Sequence, residues 1–297
     1  MTIQRNTIIR ILEWLIGVVF LISVCSKVFE VDKFAELISR YGFSSLSFLA
    51  PLIVVVEATC ALLLLLHVYP RLASVASLVL LVCFTGAFIY ANVHEGMTDC
   101  GCFGSFVERT PAWLTYVRNA ALMAAATLLL LWLPRDLSAP TTIKWILIGV
   151  VLILVAYESG HTYRAAARHG RTHPLYHQPI KNTALNPYVN TSADSTYFVY
   201  IFSYGCTTCV DGLNNIKEYD HFDTRSRLCL LSVSHDKDSV VHRTFNLPPC
   251  ETYVGLDLQG IVTNIPALLY IEHDTVKYVI EGVAPSVYNF RKYYMND

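Results

Sequence analysis

Charge is scarce in this chain. Only 15% of its 297 residues are Asp, Glu, Lys or Arg, and the net charge is -1. No block of lysines and arginines is present, so nothing calls for a nucleic-acid partner. No low-complexity tract occurs, and no repeat joins the two halves of the chain. No Ala-x-Ala cleavage site follows the first apolar run, and Val24 is too bulky for a lipoprotein site at Cys25. That run is read as an uncleaved helix rather than a signal peptide. Only one Cys-x-x-Cys occurs. A zinc site built on it is two ligands short, and no metal is expected.

Hydrophobic residues make up 54% of the chain, and they are concentrated at one end. Residues 1–160 hold apolar runs at 8–29, 46–68, 72–93 and 113–133, with a shorter one at 143–158. A bilayer is crossed by about 20 apolar residues, so five spans are expected. With the N-terminus in the cytoplasm, the inner segments carry Arg5, Arg10, Arg71, Arg135 and Lys144. The outer ones are mixed or acidic, in keeping with the positive-inside rule. Arg164, Arg168 and Arg171 give the contrary signal. An odd number of spans puts the 94–111 loop and the C-terminal region on one side, whichever way the chain inserts.

Residues 161–194 show no period and read as a linker, with His161, His169, His173 and His177 solvated and too irregular for a metal site. Residues 195–297 alternate strands and helices: strands near 197–202, 228–233, 267–272 and 276–280, helices near 206–219, 236–246 and 285–294.

Nine cysteines include two close pairs, which points to thiol redox chemistry or metal binding. Cys206-Thr207-Thr208-Cys209 directly follows a strand and opens a helix. A helix N-terminus favours negative charge, so Cys206 is expected to attack as a thiolate with Cys209 resolving. A structural disulfide is the plainer reading. Cys100-Gly101-Cys102 lies between the third and fourth spans, flanked by glycines. A disulfide between cysteines so close closes a strained, readily reduced ring; inert thiols are the alternative. Lys27, Glu57 and Arg118 lie in or near spans. Such groups are costly in lipid, so they are expected to face the bundle interior. They form either a pocket for a quinone headgroup or proton, or an ion pair that locks the bundle. Cys25, Cys60 and Cys83 read as small hydrophobes within spans, Cys25 being the likeliest exception. Cys229 reads as inert on a core strand, and Cys250 as a loop thiol.

The region from 195 to 297 resembles the thioredoxin superfamily in its CxxC, its strand–helix order, and Asn264-Ile265-Pro266 ahead of the hairpin. The resemblance implies that Pro266 faces the CxxC in the cis form and helps to bind partner thiols; a plain loop proline is the alternative. Thr-Thr replaces Gly-Pro between the cysteines, and no Trp precedes Cys206. Residues 7–135 resemble the MauE/DoxX family in Cys100-Gly-Cys-Phe-Gly104, Ser26-Lys27, Pro51, Glu57 and Arg118-Asn119. MauE-type proteins are associated with disulfide formation during methylamine dehydrogenase maturation, and DoxX-type proteins with quinone-linked sulfur oxidation. A fifth helix and the fused C-terminal region depart from that pattern. They give a layout similar to bacterial vitamin K epoxide reductase homologues.

The expected architecture is multi-domain. An α-helical transmembrane bundle of four core helices plus a fifth precedes an α/β thioredoxin-like domain. The expected function is a thiol–disulfide oxidoreductase of the bacterial inner membrane, with its thioredoxin-like domain in the periplasm. Electrons pass from client thiols through Cys206 and Cys209 to Cys100 and Cys102, and on to a quinone in a pocket of Lys27, Glu57 and Arg118. The domain swings on the linker between its partners. Rival readings are a transmembrane importer of reductant, for which only Cys60 and Cys83 are placed, and a non-catalytic assembly factor for a periplasmic redox enzyme.

Overall fold

The computed structural model describes residues 2–94, 97, 100, 112–133, 141–169, 173–192, 194–235, 241, 252–257 and 260–295. The chain divides into two compact units. One comprises Met1–Ala35 and Phe48–Tyr163; the other comprises Glu36–Ser47 and Arg164–Asp297.

The first unit is helical. Its elements are α1 (Thr2–Lys27), the start of α2 (Val31–Ile38), α3 (Ala50–Leu65), α4 (Pro70–His94), α5 (Ala112–Trp132) and most of α6 (Thr142–His169). Five stretches are long and apolar enough to cross a membrane: Arg5–Lys27, Val31–Leu65, Pro70–His94, Ala112–Trp132 and Thr142–Arg164. Ile16, Phe20, Leu64, Leu122 and Leu129 fill the interior, with Ala61, Ala73 and Ala126 among them. Small residues let helix backbones come close, as membrane bundles require. At Gly17 of α1, an added Cβ would lie 2.8 Å from Leu65 Cγ on α3, so this crossing admits only glycine without a shift. Large apolar side chains such as Trp14, Leu52, Val79, Leu131, Ile143 and Ile153 point outward, as they do when lipid rather than water surrounds a bundle.

The second unit is a five-stranded mixed sheet in the order β3-β2-β1-β4-β5. The strands are β1 (Thr196–Phe202), β2 (Ser226–Ser232), β3 (Thr252–Val254), β4 (Ala267–Glu272) and β5 (Thr275–Glu281). β1 pairs parallel with β2 and antiparallel with β4. Side chains alternate across a strand, and β1 uses both faces. Tyr197, Val199 and Ile201 join one core, while Phe198, Tyr200 and Phe202 join the other. The second core is covered by α7 (Thr207–Ile216) and the C-terminal α8 (Val287–Phe290). The β4–β5 turn closes through His273 and Asp274, both at positive φ.

Several expectations change. β3 was not anticipated: three residues carry too short a pattern to read. The expected helix at 236–246 lies outside the described residues except for Val241. α6 runs on to His169, so His161 and His169 are helical. The expected linker is not one over its second half. Leu175, Ile180, Leu185 and Val189 are buried in the first core of the sheet unit, and Pro179 bridges to Thr275 at the sheet edge. His173 is not solvated: its ring is mostly covered, its Nδ1 accepts from Leu175 N at 3.1 Å, and its Nε2 sits 3.6 Å from Glu281. Burial pushes its pKa down against the pull of Glu281.

A larger surprise is the segment between the first two spans. Glu36–Ser47 folds as part of the sheet unit. Glu36 accepts from Ser286 N at 2.8 Å and from Asn289 Nδ2 at 2.9 Å. Asn289 Nδ2 also reaches Ser39 Oγ at 3.1 Å, and Ser47 Oγ donates to Asn289 Oδ1 at 2.7 Å. All are buried. The sheet unit thus draws on two separate stretches of the chain. Glu36→Ala leaves buried donors on Ser286 and Asn289 without this acceptor, and each such group costs about 1–3 kcal/mol. We expect Glu36→Ala and Asn289→Leu to lower the thermal midpoint of the sheet unit, read by near-ultraviolet circular dichroism of its aromatic core. An unchanged midpoint in both would show that the insertion is not structural.

Candidate functional site

Two sites hold the residues singled out in the sequence, one in each unit. In the helical unit, Lys27 ends α1 and Glu57 sits in α3. Lys27 Nζ meets Glu57 Oε1 at 2.7 Å, and the two side chains are 3% and 1% exposed. Ser23 lies one turn before Lys27 on the same face of α1 and donates to Glu57 Oε2 at 3.1 Å. The Lys27 ammonium also stands 4.5 Å from the Phe34 ring centroid and 5.1 Å from that of Phe84. Every charge is answered, as a buried ion pair demands.

Arg118 in α5 takes part in a second polar set. Its Nε and Nη2 donate to Asn119 Oδ1 at 3.1 and 3.0 Å, and Nη2 also reaches Cys100 Sγ at 3.5 Å. Asn119 Nδ2 donates to Thr85 Oγ1 on α4 at 3.0 Å, and Thr85 Oγ1 donates to Leu81 O at 2.6 Å. Cys100 is buried. Its expected partner Cys102 lies outside the described residues, as does Cys250.

Glu57, Ser23, Arg118 and Asn119 line one cavity, walled by Val19, Phe20, Leu81, Phe84 and Leu122. The structure thus brings Glu57 and Arg118 to one place, with Lys27 behind Glu57. The cavity measures about 30 Å³. That is room for water, which needs only about 10–15 Å³ on this measure. Small-molecule sites run to several hundred cubic ångströms. The donors would suit a quinone oxygen, but the ring does not fit this cavity.

In the sheet unit, Cys206 and Cys209 are joined by a disulfide with Cα atoms 5.2 Å apart. Cys206 is the N-cap of α7, and its sulfur accepts from Cys209 N at 3.2 Å. Cys209 is fully buried, whereas Cys206 is half-buried. The preceding turn is fastened by Ser234 Oγ, which accepts from Tyr204 N and pairs with Ser203 Oγ, both at 3.0 Å. Tyr200 donates to Cys209 O at 2.8 Å, and burial raises its pKa so that it stays a donor. An added Cβ at Gly212 would lie 2.7 Å from that hydroxyl, so glycine there lets α7 sit down on β1. Ile265–Pro266 is a cis bond, and Ile265 packs on the core that holds both cysteines.

Of the remaining cysteines, Cys83 departs from expectation, while Cys25 is the exception that was expected. Cys60 is in the bundle core, but Cys25 and Cys83 are exposed and do not fill it. Cys229 is half-buried on β2, packed against the first core of the sheet unit. Sequence reasoning missed Ser23, Thr85, Tyr200 and Ser234. Thr85 and Ser23 carried a readable signal, a hydroxyl inside an apolar span. It also missed Glu13 of α1, fully buried, whose two oxygens both reach His67 Nδ1 at 2.8–2.9 Å.

Five apolar stretches with buried charges among them, together with a small mixed sheet that carries a helix-capping disulfide, define a class: a membrane protein with a cysteine-bearing sheet unit. Residues 5–133 match the family model described as methylamine utilisation protein MauE. That span covers α1 to α5 and ends before α6 and the sheet unit. No curated protein and no solved structure matches the chain.

The ion pair makes its own prediction. Lys27→Met should strand the Glu57 carboxylate and lose about 3–5 kcal/mol, while Lys27→Met with Glu57→Leu together should recover most of it. Thermal unfolding of the purified protein in detergent reads both. A double variant as unstable as the single would mean that the pair adds more than mutual neutralisation.

Proposed function

We propose that the chain is a membrane thiol–disulfide oxidoreductase whose sheet unit is a thioredoxin-like domain. The observation that carries this reading is the Cys206–Cys209 disulfide, with its half-buried first sulfur at the N-terminus of α7 and its second sulfur buried behind it. An outer sulfur that reacts and an inner one that resolves is what exchange requires. The strand order, the helix after β1 and the cis Ile265–Pro266 bond next to the cysteine core support the thioredoxin-like assignment.

In this reading, oxidised Cys206 is attacked by a client thiolate. The Cys206–Cys209 bond breaks and a mixed disulfide with the client forms. A second client thiolate then displaces Cys206, leaving the client oxidised and the pair reduced. Reduced Cys206 and Cys209 pass two electrons to a disulfide of Cys100 and Cys102. Glu36–Ser47 follows the first span and folds with the sheet unit. That supports a common side for the segments after spans one, three and five, and hence for both pairs. We keep the periplasm as the proposed compartment and a quinone as the proposed class of final oxidant. The cavity beneath Arg118 is not its binding site as shaped.

A second reading draws on the match to a family described by methylamine utilisation: the chain assists assembly of a redox enzyme for amine oxidation without exchanging disulfides itself. Wild-type protein, reduced and given a water-soluble quinone, should reoxidise both pairs, and Cys209→Ser should trap oxidised clients as mixed disulfides, its Cys206 thiolate opening a client disulfide whose second sulfur leaves as the thiolate. Full reoxidation in Cys102→Ser would overturn the relay. Cellular function retained by the Cys206→Ser, Cys209→Ser double variant would favour the assembly reading.

A further inference from the structure

We infer that Arg118 is a catalytic residue that holds Cys100 as a thiolate, with Asn119 and Thr85 as positioning residues that aim it. The inference rests on the reading of Cys100 as one of the exchanging thiols. It moves Arg118 from the pocket expected for a quinone to the sulfur itself.

The geometry carries it. Arg118 Nη2 lies 3.5 Å from Cys100 Sγ, and Cys100 is 4% exposed. A guanidinium keeps its charge at any working pH, and a cation beside a sulfur stabilises the thiolate rather than the thiol. The arginine is not held by chance. Nε and Nη2 both donate to Asn119 Oδ1, a two-point grip that fixes the plane of the guanidinium. Asn119 is oriented in turn by Thr85, and Thr85 by the Leu81 carbonyl. The chain of bonds thus runs from the α4 backbone across to α5 and ends on the sulfur. Three polar side chains inside apolar spans are costly, and a bundle needing only packing would carry apolar ones.

Among the described residues, Glu57 and His94 each have a partner of their own. Glu57, across the cavity that Arg118 lines, is neutralised by Lys27 at 2.7 Å. His94, at the end of α4, lies against Tyr90 with ring centroids 4.6 Å apart. Asp99 and Glu95, nearest in sequence, lie outside the described residues. The chemical consequence concerns bond breaking. When a disulfide that includes Cys100 is opened, the attacking thiolate bonds to the partner sulfur. The S–S bond breaks, and its electron pair leaves on Cys100 as the stabilised thiolate. A better-stabilised leaving thiolate departs faster.

The test is the rate of alkylation of Cys100 against pH. The full chain in phospholipid nanodiscs is reduced, freed of reductant and treated with iodoacetamide; the thiolate displaces iodide, and peptide mass spectrometry reports each cysteine separately. An ordinary thiol gives a midpoint at about pH 8.5. For wild-type Cys100 we expect a midpoint at least one pH unit lower. Arg118→Gln should raise it by a unit or more, which is about a tenfold slower reaction at pH 7. Arg118→Lys keeps the charge and should keep most of the depression. Asn119→Leu, which releases the grip, should shift it part of the way. The Cys206 profile from the same digests should not move, which separates this effect from general unfolding. A wild-type midpoint at 8.5 or above, or the same midpoint in Arg118→Gln, overturns the inference. If Arg118→Gln does not accumulate, the wild-type and Asn119→Leu midpoints decide. A low, Arg118-dependent midpoint in a protein whose two cysteine pairs never exchange would leave the thiolate at Cys100 standing and remove both the relay and the catalytic role of Arg118.

Discussion

A charge cannot be left alone inside an apolar bundle, and this constraint organises the helical unit. Taking an ammonium or a carboxylate out of water costs several kcal/mol per ion even after relaxation. Lys27 and Glu57 meet that cost only by meeting each other, so α1 and α3 must cross in one register. The same register closes Gly17 onto Leu65 and sets Glu13 against His67 further along. From Glu13 to Lys27 is fourteen residues of helix, or roughly 21 Å, so the α1–α3 contact is pinned by polar contacts near both ends. Apolar packing alone would allow neighbouring registers; two buried carboxylates do not.

The α4–α5 contact follows the same rule with a different residue set. Asn119 and Thr85 satisfy each other across the two helices, and Arg118 is drawn inward by Asn119. Where these two polar seams meet, side chains fail to fill the space and the cavity remains. It is lined by a carboxylate, a hydroxyl, an amide and a guanidinium against aromatic and aliphatic walls. Such a space suits water and protons better than an organic ring. The ion pair that locks α1 to α3 and the small polar cavity thus share Glu57, so the pocket and the lock need not be rival readings.

The helical unit was legible because its pattern is long. Twenty apolar residues leave little room for ambiguity, and each of the five runs found its helix. Ionisable residues in such runs are conspicuous, so Lys27, Glu57 and Arg118 could be named in advance. Their partners were harder to assign: Ser23 and Thr85 stand out as hydroxyls inside apolar spans, but which group each meets depends on helix rotation. In the sheet unit, the Tyr197–Phe202 run and the hairpin at His273 were clear, because local composition fixes both. The segments at 36–47 and 173–189 were not, because their order comes from distant partners. Glu36 is held by Asn289, and Leu175 by a core of strand residues. Neither interaction leaves a periodic trace in its own segment.

The two cysteine environments favour a thiolate by different physical means. Cys206 caps α7 and, once reduced, faces the backbone N–H groups of its first turn, a field that weakens within about one turn of the helix end. Cys100 sits beside a full cation in a buried position, where the attraction between charges is stronger than in water while burial itself works against the thiolate. Stabilising the reduced form of a pair makes its disulfide the stronger oxidant. With other terms equal, a full charge outweighs the half charge of a helix terminus. In the proposed relay this ordering would send electrons from Cys206 and Cys209 toward Cys100, the direction in which clients become oxidised. The opposite flow would need Cys60 and Cys83 to serve as a relay. One is closed inside the bundle core and the other points outward from it.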